Sequence, residues 1–219
     1  LPVTLSIVTV AVLLTGIVSV VLGMTAAIRG GAVDRIIQVV SVLGVALPHF
    51  WIAIVLVVVF AIGLGMFPAT GYVPLADSPS GWLASITLPV VALLFAGIAS
   101  TAQQIRGATI DVLERDFVRT LRARGLGERA VIVNHVLRAA AVPALTVLSL
   151  QFIGTIGGAV VIEKVFALPG LGLLGVNATI RGDMPVIMGV LIVTAVIVIV
   201  VNLAIDIING WINPKARLA

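Results

Sequence analysis

Five long apolar stretches separated by polar breaks organise this sequence, at roughly 3–28, 36–62, 82–106, 137–161 and 185–212. Each reaches the roughly 20 residues that a helix rising about 1.5 Å per residue needs to cross a hydrocarbon core about 30 Å thick. Barrel strands would be about ten residues long with alternating polarity. Here Val190 to Val201 holds only Thr194 as a mildly polar residue, which is a helical pattern. Pro48 and Pro89 fall inside the second and third stretches; spanning helices tolerate proline where neighbours re-satisfy the freed carbonyl. The expected fold is all-α, a polytopic membrane protein with about five spans in one transmembrane domain over residues 1–219.

The longest polar break lies between the third and fourth stretches, at about 106–138. Within it Ile110, Leu113, Phe117 and Leu121 recur at helical spacing, with Asp111, Glu114, Arg115, Asp116, Arg119 and Arg122 between them. That spacing predicts an amphipathic helix over 110–121. Gly125 and Gly127 interrupt it, and a second short helix is predicted through Glu128, Val131, Ile132, His135 and Val136. Two readings stand: a basic juxtamembrane loop serving topology and anionic lipid, or a helix that seats in a groove of a soluble partner and passes movement to the attached spans.

Composition agrees with the pattern. Hydrophobic residues make up 61% and charged residues 10%, against roughly half and a quarter in a soluble domain. With no Cys in the chain, disulfide, thiolate-metal and cysteine-nucleophile chemistry are closed. The net charge of +4 is explained by topology rather than by nucleic acid. Arg29 and Arg35 follow span one; Arg106, Arg115, Arg119, Arg122, Arg124, Arg129 and Arg138 follow span three; Lys215 and Arg217 follow span five. Only Lys164 and Arg181 fall on the other side. The positive-inside rule therefore puts the 29–35 turn, the 106–138 loop and the C-terminus in the cytoplasm. Residue 1 then starts outside, and a further span is expected upstream.

The stretch from Asp116-Phe117-Val118-Arg119-Thr120 through Leu121-Arg122-Ala123-Arg124-Gly125-Leu126, followed by His135-Val136-Leu137-Arg138-Ala139-Ala140 and Pro143, resembles the EAA-type loop of binding-protein-dependent ABC importer permeases. The variant is that of the peptide and nickel subclass. Glu163, Phe166, Pro169-Gly170-Leu171-Gly172, Asp183, Pro185, Asn202, Asp206 and Pro214 are similar to that family's later signature, and Pro48-His49-Phe50-Trp51 and Leu64 to Tyr72 to its earlier one. The likeness covers nearly the whole chain. It implies the type I importer permease fold, and a half-channel in a prokaryotic cytoplasmic membrane. It also implies as partners a second, homologous permease, two cytoplasmic ATPase subunits and an extracytoplasmic substrate-binding protein. No cofactor is expected on this chain. It lacks G-x-x-x-x-G-K-[ST], so ATP and Mg belong to the partner ATPases. The chain is expected to be a transport subunit and not an enzyme. Arg119, Arg122, Ala123, Arg124, Gly125, Leu126, Gly127 and Glu128 are the expected ATPase contact. Peptide is the expected cargo, with nickel the alternative within the family.

Other residues carry two readings each. Gly154 and Gly158 form G-x-x-x-G, which serves close helix packing, while Gln151 and Thr155 alternatively line a pathway. Ser100, Thr101, Gln103 and Gln104 cluster near the inner end of span three, either interfacial or facing the pathway. Asp206 is the acidic residue well inside a span and so a functional suspect; a structural bond to Asn202 one turn away is the favoured reading. His49 and His135 are far apart with no further ligand at helical spacing, so metal binding is not expected and His49 reads as a hydrogen-bonded packing residue. The segment from Glu163 to Pro185 reads as an outer loop with a short helix. A secondary transporter would show inverted repeats and an intramembrane hydrolase a placed nucleophile and base; the sequence shows neither.

Overall fold

The structure is a computed structural model that describes residues 1–212, apart from the side chains of Ala96 and Ile212. Pro214, Lys215 and Arg217, named above, lie outside those residues. The chain forms α1 (Pro2–Arg29), α2 (Gly31–Ala46), α3 (His49–Leu56, continued as a π-helical turn over Val57–Gly63) and α4 (Pro79–Leu113). Then come α5 (Asp116–Ala123), α6 (Glu128–Val131), which runs through a π-helical segment Ile132–Val136 into α7 (Leu137–Val165), α8 (Leu171–Arg181) and α9 (Met184–Ile212). Pro2–Arg29, Glu128–Val165 and Met184–Trp211 are each long and apolar enough to cross a membrane, and two bent helix pairs raise the number to as many as five.

The second expected span is broken. Leu47 takes an extended conformation (φ −87°, ψ 122°), as a residue before proline tends to, and α2 meets the helix beyond Pro48 at 91°. The third is longer than expected. Ser78 caps α4 by accepting from the Gly81 N–H at 3.1 Å, Pro79 occupies its first turn, and its 35 residues extend about 52 Å. The halves Pro79–Phe95 and Gly97–Leu113 enclose a 45° bend.

A stripe of small residues lets α1 lie against α4. Ser19 donates to the Ile98 carbonyl at 3.3 Å, and a Cβ at Gly23 would stand 2.6 Å from the Ala102 carbonyl oxygen. Lipid tails are as apolar as leucine, so such close backbone contact is what holds membrane helices together. Around this pair Ile7, Val8, Ile86, Leu93, Phe152, Ile162 and Phe166 form the buried centre of α1, α4 and α7. Leu191, Ile192, Ile199, Val200 and Leu203 on α9, and Ile36, Val39 and Val40 on α2, are exposed. Such faces suit hydrocarbon or another apolar helix. Between α1 and α2, Gly30 and Gly31 both have positive φ; just beyond, Asp34 forms a two-pronged ion pair with Arg106 of α4. Arg106, one of the loop cations in the sequence, thus has a fixed partner.

Candidate functional site

The loop between α4 and α7 is a small folded unit. The helix expected over 110–121 is split: Ile110 and Leu113 end α4, Arg115 is extended (φ −66°, ψ 146°), and α5 starts afresh at Asp116. That break resets the helical phase. Val118, at 0% exposure, is the residue buried against Val112, Val131, Val136 and Ala140, whereas Phe117 is 37% exposed.

Gly125 ends α5 with φ +81°. Its N–H bonds the Arg122 carbonyl at 2.9 Å and the Leu126 N–H reaches back to the Leu121 carbonyl at 3.3 Å, the paired bonds of a Schellman cap that favour glycine at this position. The Arg122 guanidinium then grips the Glu128 carboxylate at 2.6 and 3.0 Å. Those bonds hold the Glu128 carboxyl below its usual range and raise the Arg122 pKa. Arg119, Arg122, Ala123, Arg124, Gly125, Leu126, Gly127 and Glu128 are all exposed and form one surface knuckle. Beneath it α6 continues into α7 as a single 38-residue helix.

At the far end of α7 the structure gives the Pro169-Gly170-Leu171-Gly172 turn a physical purpose that periodicity missed. Glu163 is fully buried and both carboxylate oxygens accept: Oε1 from the Thr4 hydroxyl at 2.6 Å and Oε2 from the Leu173 N–H at 2.9 Å. Thr4 in turn accepts from the Leu171 N–H at 2.8 Å. The carboxyl group therefore satisfies two of the free N–H groups of α8's first turn, Leu173 directly and Leu171 through Thr4. A Cβ at Gly170 would overlap the Glu163 carboxylate, and one at Gly172 would lie 2.7 Å from Val160. The glycines are there because the helix end closes onto Glu163. A glutamate a few residues before a Gly-x-Gly turn was the signal available in the sequence.

Near half depth, α3, α4 and α7 border a cleft of about 290 Å³ whose polar lining comes from His49, Ser100, Gln151 and Thr155. Gly97, Gly154 and Gly158 line it too, so the structure brings Gln151, Gly154, Thr155 and Gly158 together. Gln103 is exposed and is not among the lining residues. Gly154 has nothing within 4 Å of a built Cβ, while Gly158 sits 3.9 Å from the His49 ring; within this chain the G-x-x-x-G pair closes no helix contact at Gly154. The Nδ1 of His49 is buried without a hydrogen-bond partner, so the expected hydrogen-bonded packing role is not met at that atom. Two larger grooves, of about 470 and 620 Å³, are almost wholly apolar.

Asp206 is exposed on α9. Asn202 accepts from Ser149 of α7 through its Oδ1, and among the described residues no side-chain hydrogen bond joins it to Asp206, so the expected pairing is replaced by a link between helices. Asp183 accepts from the Val186 N–H at 3.2 Å just ahead of α9. Among the described residues no group of three His, Asp or Glu could hold a metal ion.

Comparison with known proteins gives a family match over residues 19–218 to the binding-protein-dependent transport system inner membrane component. The chain is 39% identical over 218 residues to a putative peptide transport system permease protein of Brucella abortus, covering 99% of this chain and 69% of that protein. It is 39% identical over 204 residues to the oligopeptide transport system permease protein OppB of Haemophilus influenzae, covering 91% and 65%. The di/tripeptide transport system permease protein DppB of Pseudomonas aeruginosa is 33% identical over 237 residues, covering 99% and 70%.

Proposed function

The chain belongs to the family of binding-protein-dependent transport system inner membrane components, and on that premise we propose that it is the permease subunit of an ATP-driven peptide importer. The observation that carries the mechanism is the knuckle at 116–128: a capped helix, exposed on its polar side, whose Arg122 is ion-paired to Glu128 at the start of the 38-residue helix Glu128–Val165. A short helix presented this way fits a groove in a soluble partner. Its rigidity lets movement of that partner become movement of α7 instead of being absorbed in a slack loop.

In this reading the knuckle faces the cytoplasm, as does the C-terminus, and meets one of two ATPase subunits that hold ATP and Mg. A second, homologous permease supplies the other half of the path, and an extracytoplasmic binding protein delivers cargo. This chain hydrolyses nothing. Its spans carry the substrate and its loop times their opening to the ATPase cycle. The relatives' names favour peptide over nickel.

Substituting Gly125→Asp tests the coupling. Aspartate tolerates a positive φ better than most residues, so the variant places a negative charge at the knuckle with limited backbone strain. The reconstituted complex is expected to lose ATPase association or peptide-stimulated hydrolysis while the permease pair still assembles. If the variant keeps both at wild-type levels, the knuckle is not the contact.

A further inference from the structure

We propose that the polar cleft between α3, α4 and α7 is a contact site for the main chain of a peptide in transit, met by His49, Ser100, Gln151 and Thr155. The proposal rests on the permease reading above. The cleft lies near the middle of the spans, since Gln151 is central in Leu137–Val165 and Ser100 nearly so in Pro79–Leu113. The bonds between its side chains are long, although the Thr155 hydroxyl also donates to the Gln151 carbonyl at 2.7 Å. Ser100 reaches the Gln151 Oε1 at 3.5 Å, and the Gln151 Nε2 reaches the Thr155 hydroxyl at 3.3 Å, against about 2.7–3.0 Å for well-formed bonds. Groups so loosely paired exchange readily for a ligand. His49 Nδ1 is buried and has no hydrogen-bond partner among the described residues, a costly state in hydrocarbon that a passing donor or water relieves.

The chemistry fits a peptide backbone. Every residue of a peptide offers an N–H and a C=O whatever its side chain. The cleft offers both kinds of partner: a carboxamide that donates and accepts, the Ser100 hydroxyl that does either, the Thr155 hydroxyl as an acceptor while its proton goes to the Gln151 carbonyl, and an imidazole. No charged residue lines it, so it makes no selection on side-chain charge. Gly97 keeps the floor clear, because a Cβ there would stand 2.8 Å from the Gln151 Nε2. At about 290 Å³ the cleft sits at the lower edge of the range of about 300–1,000 Å³ for small-molecule sites, room for a short length of chain. It is open beside Gly154, where nothing stands within 4 Å of a built Cβ.

Because the chain has no Cys, one thiol at a time can be placed on it. Gly154→Cys and Ser100→Cys enter the cleft; Leu13→Cys enters the apolar groove between α1, α7 and α9 as a control. Each complex, reconstituted with its binding protein, is treated during ATP turnover with a water-borne methanethiosulfonate reagent, and labelling is read by mass on this chain. The two cleft thiols are expected to label, saturating transported peptide to slow that labelling several-fold, and the groove thiol to stay unlabelled. Alongside, Thr155→Val is expected to raise the peptide concentration for half-maximal uptake several-fold, and Thr155→Ser to restore it. If peptide stimulates hydrolysis but neither cleft thiol is labelled and protected, the cleft is not the contact site and the permease reading stands. If wild-type complex shows neither peptide uptake nor peptide-stimulated hydrolysis, the permease reading fails and takes this proposal with it.

Discussion

A methyl group added at Gly170 would occupy space that the Glu163 carboxylate fills. The backbone there (φ −96°, ψ 179°) suits alanine, so Gly170→Ala carries no conformational strain and its whole effect comes from that overlap. Forcing extra volume into a filled site costs about 1–3 kcal/mol, which for a chain of this length lowers Tm by about 2–4 °C per kcal/mol. Displacing the carboxyl group also lengthens the bonds from Thr4 and Leu173, and hydrogen bonds contribute about 0.5–1.5 kcal/mol each; the upper half of that first range is therefore expected. Glu163→Ala is itself destabilising because it leaves buried donors unpaired, but it empties the contested space. In that background Gly170→Ala is expected to add no more than about 0.5 kcal/mol, the scatter of independent sites. The assay is thermal aggregation of a tagged copy of this chain in the purified complex, in one detergent, for wild type, both single variants and the double. Equal Tm losses from Gly170→Ala in both backgrounds would refute the argument that the glycine exists for the glutamate.

Two further outcomes are expected. Gly23→Ala forces apart α1 and α4 at the Ala102 carbonyl and is expected to cost about 1–3 kcal/mol by the same aggregation assay, while Gly189→Ala, with nothing within 4 Å, leaves Tm unlowered; equal effects would mean that the close approach is not what holds the pair. At the knuckle, the Glu128 carboxyl lies lower in the folded chain than its unfolded value of about 4.3, so its contribution is complete above that value and lost as pH falls through the lower folded one. Hydrogen exchange at the Gly125 and Leu126 amides, corrected for intrinsic rates, should be flat near neutrality, rise below about pH 4, and lose that dependence in Glu128→Gln; no rise in wild type argues against the pairing.

Hydropathy alone located the five apolar stretches, three of which stand as single long helices and two as bent pairs, because whether a segment can cross hydrocarbon depends on about 20 neighbouring residues and little else. The glycine at the end of α5 was equally legible, since a Schellman cap is a local motif. Helical phase was not. The periodicity of Ile110, Leu113, Phe117 and Leu121 ran on across Arg115, where the backbone is extended, and so nominated Phe117 where Val118 is buried. A one-residue break costs little in composition and is decided by what α5 must pack against. The direction change at Leu47 was visible only as a tolerated proline, while its 91° angle depends on α4 and α7 alongside.

Local composition and pattern were enough to show a helical, membrane-embedded chain with a cation-rich, glycine-interrupted loop between its third and fourth apolar stretches, all properties of short neighbouring segments. Tertiary structure decided which distant residues meet: Thr4 with Glu163 across 159 positions, Asp34 with Arg106, Ser149 with Asn202, and His49, Ser100, Gln151 and Thr155 around one cleft. Each such meeting depends on the relative rotation and depth of two helices. In a bilayer those are set by close contact of small residues and a few polar bonds, which no local pattern encodes.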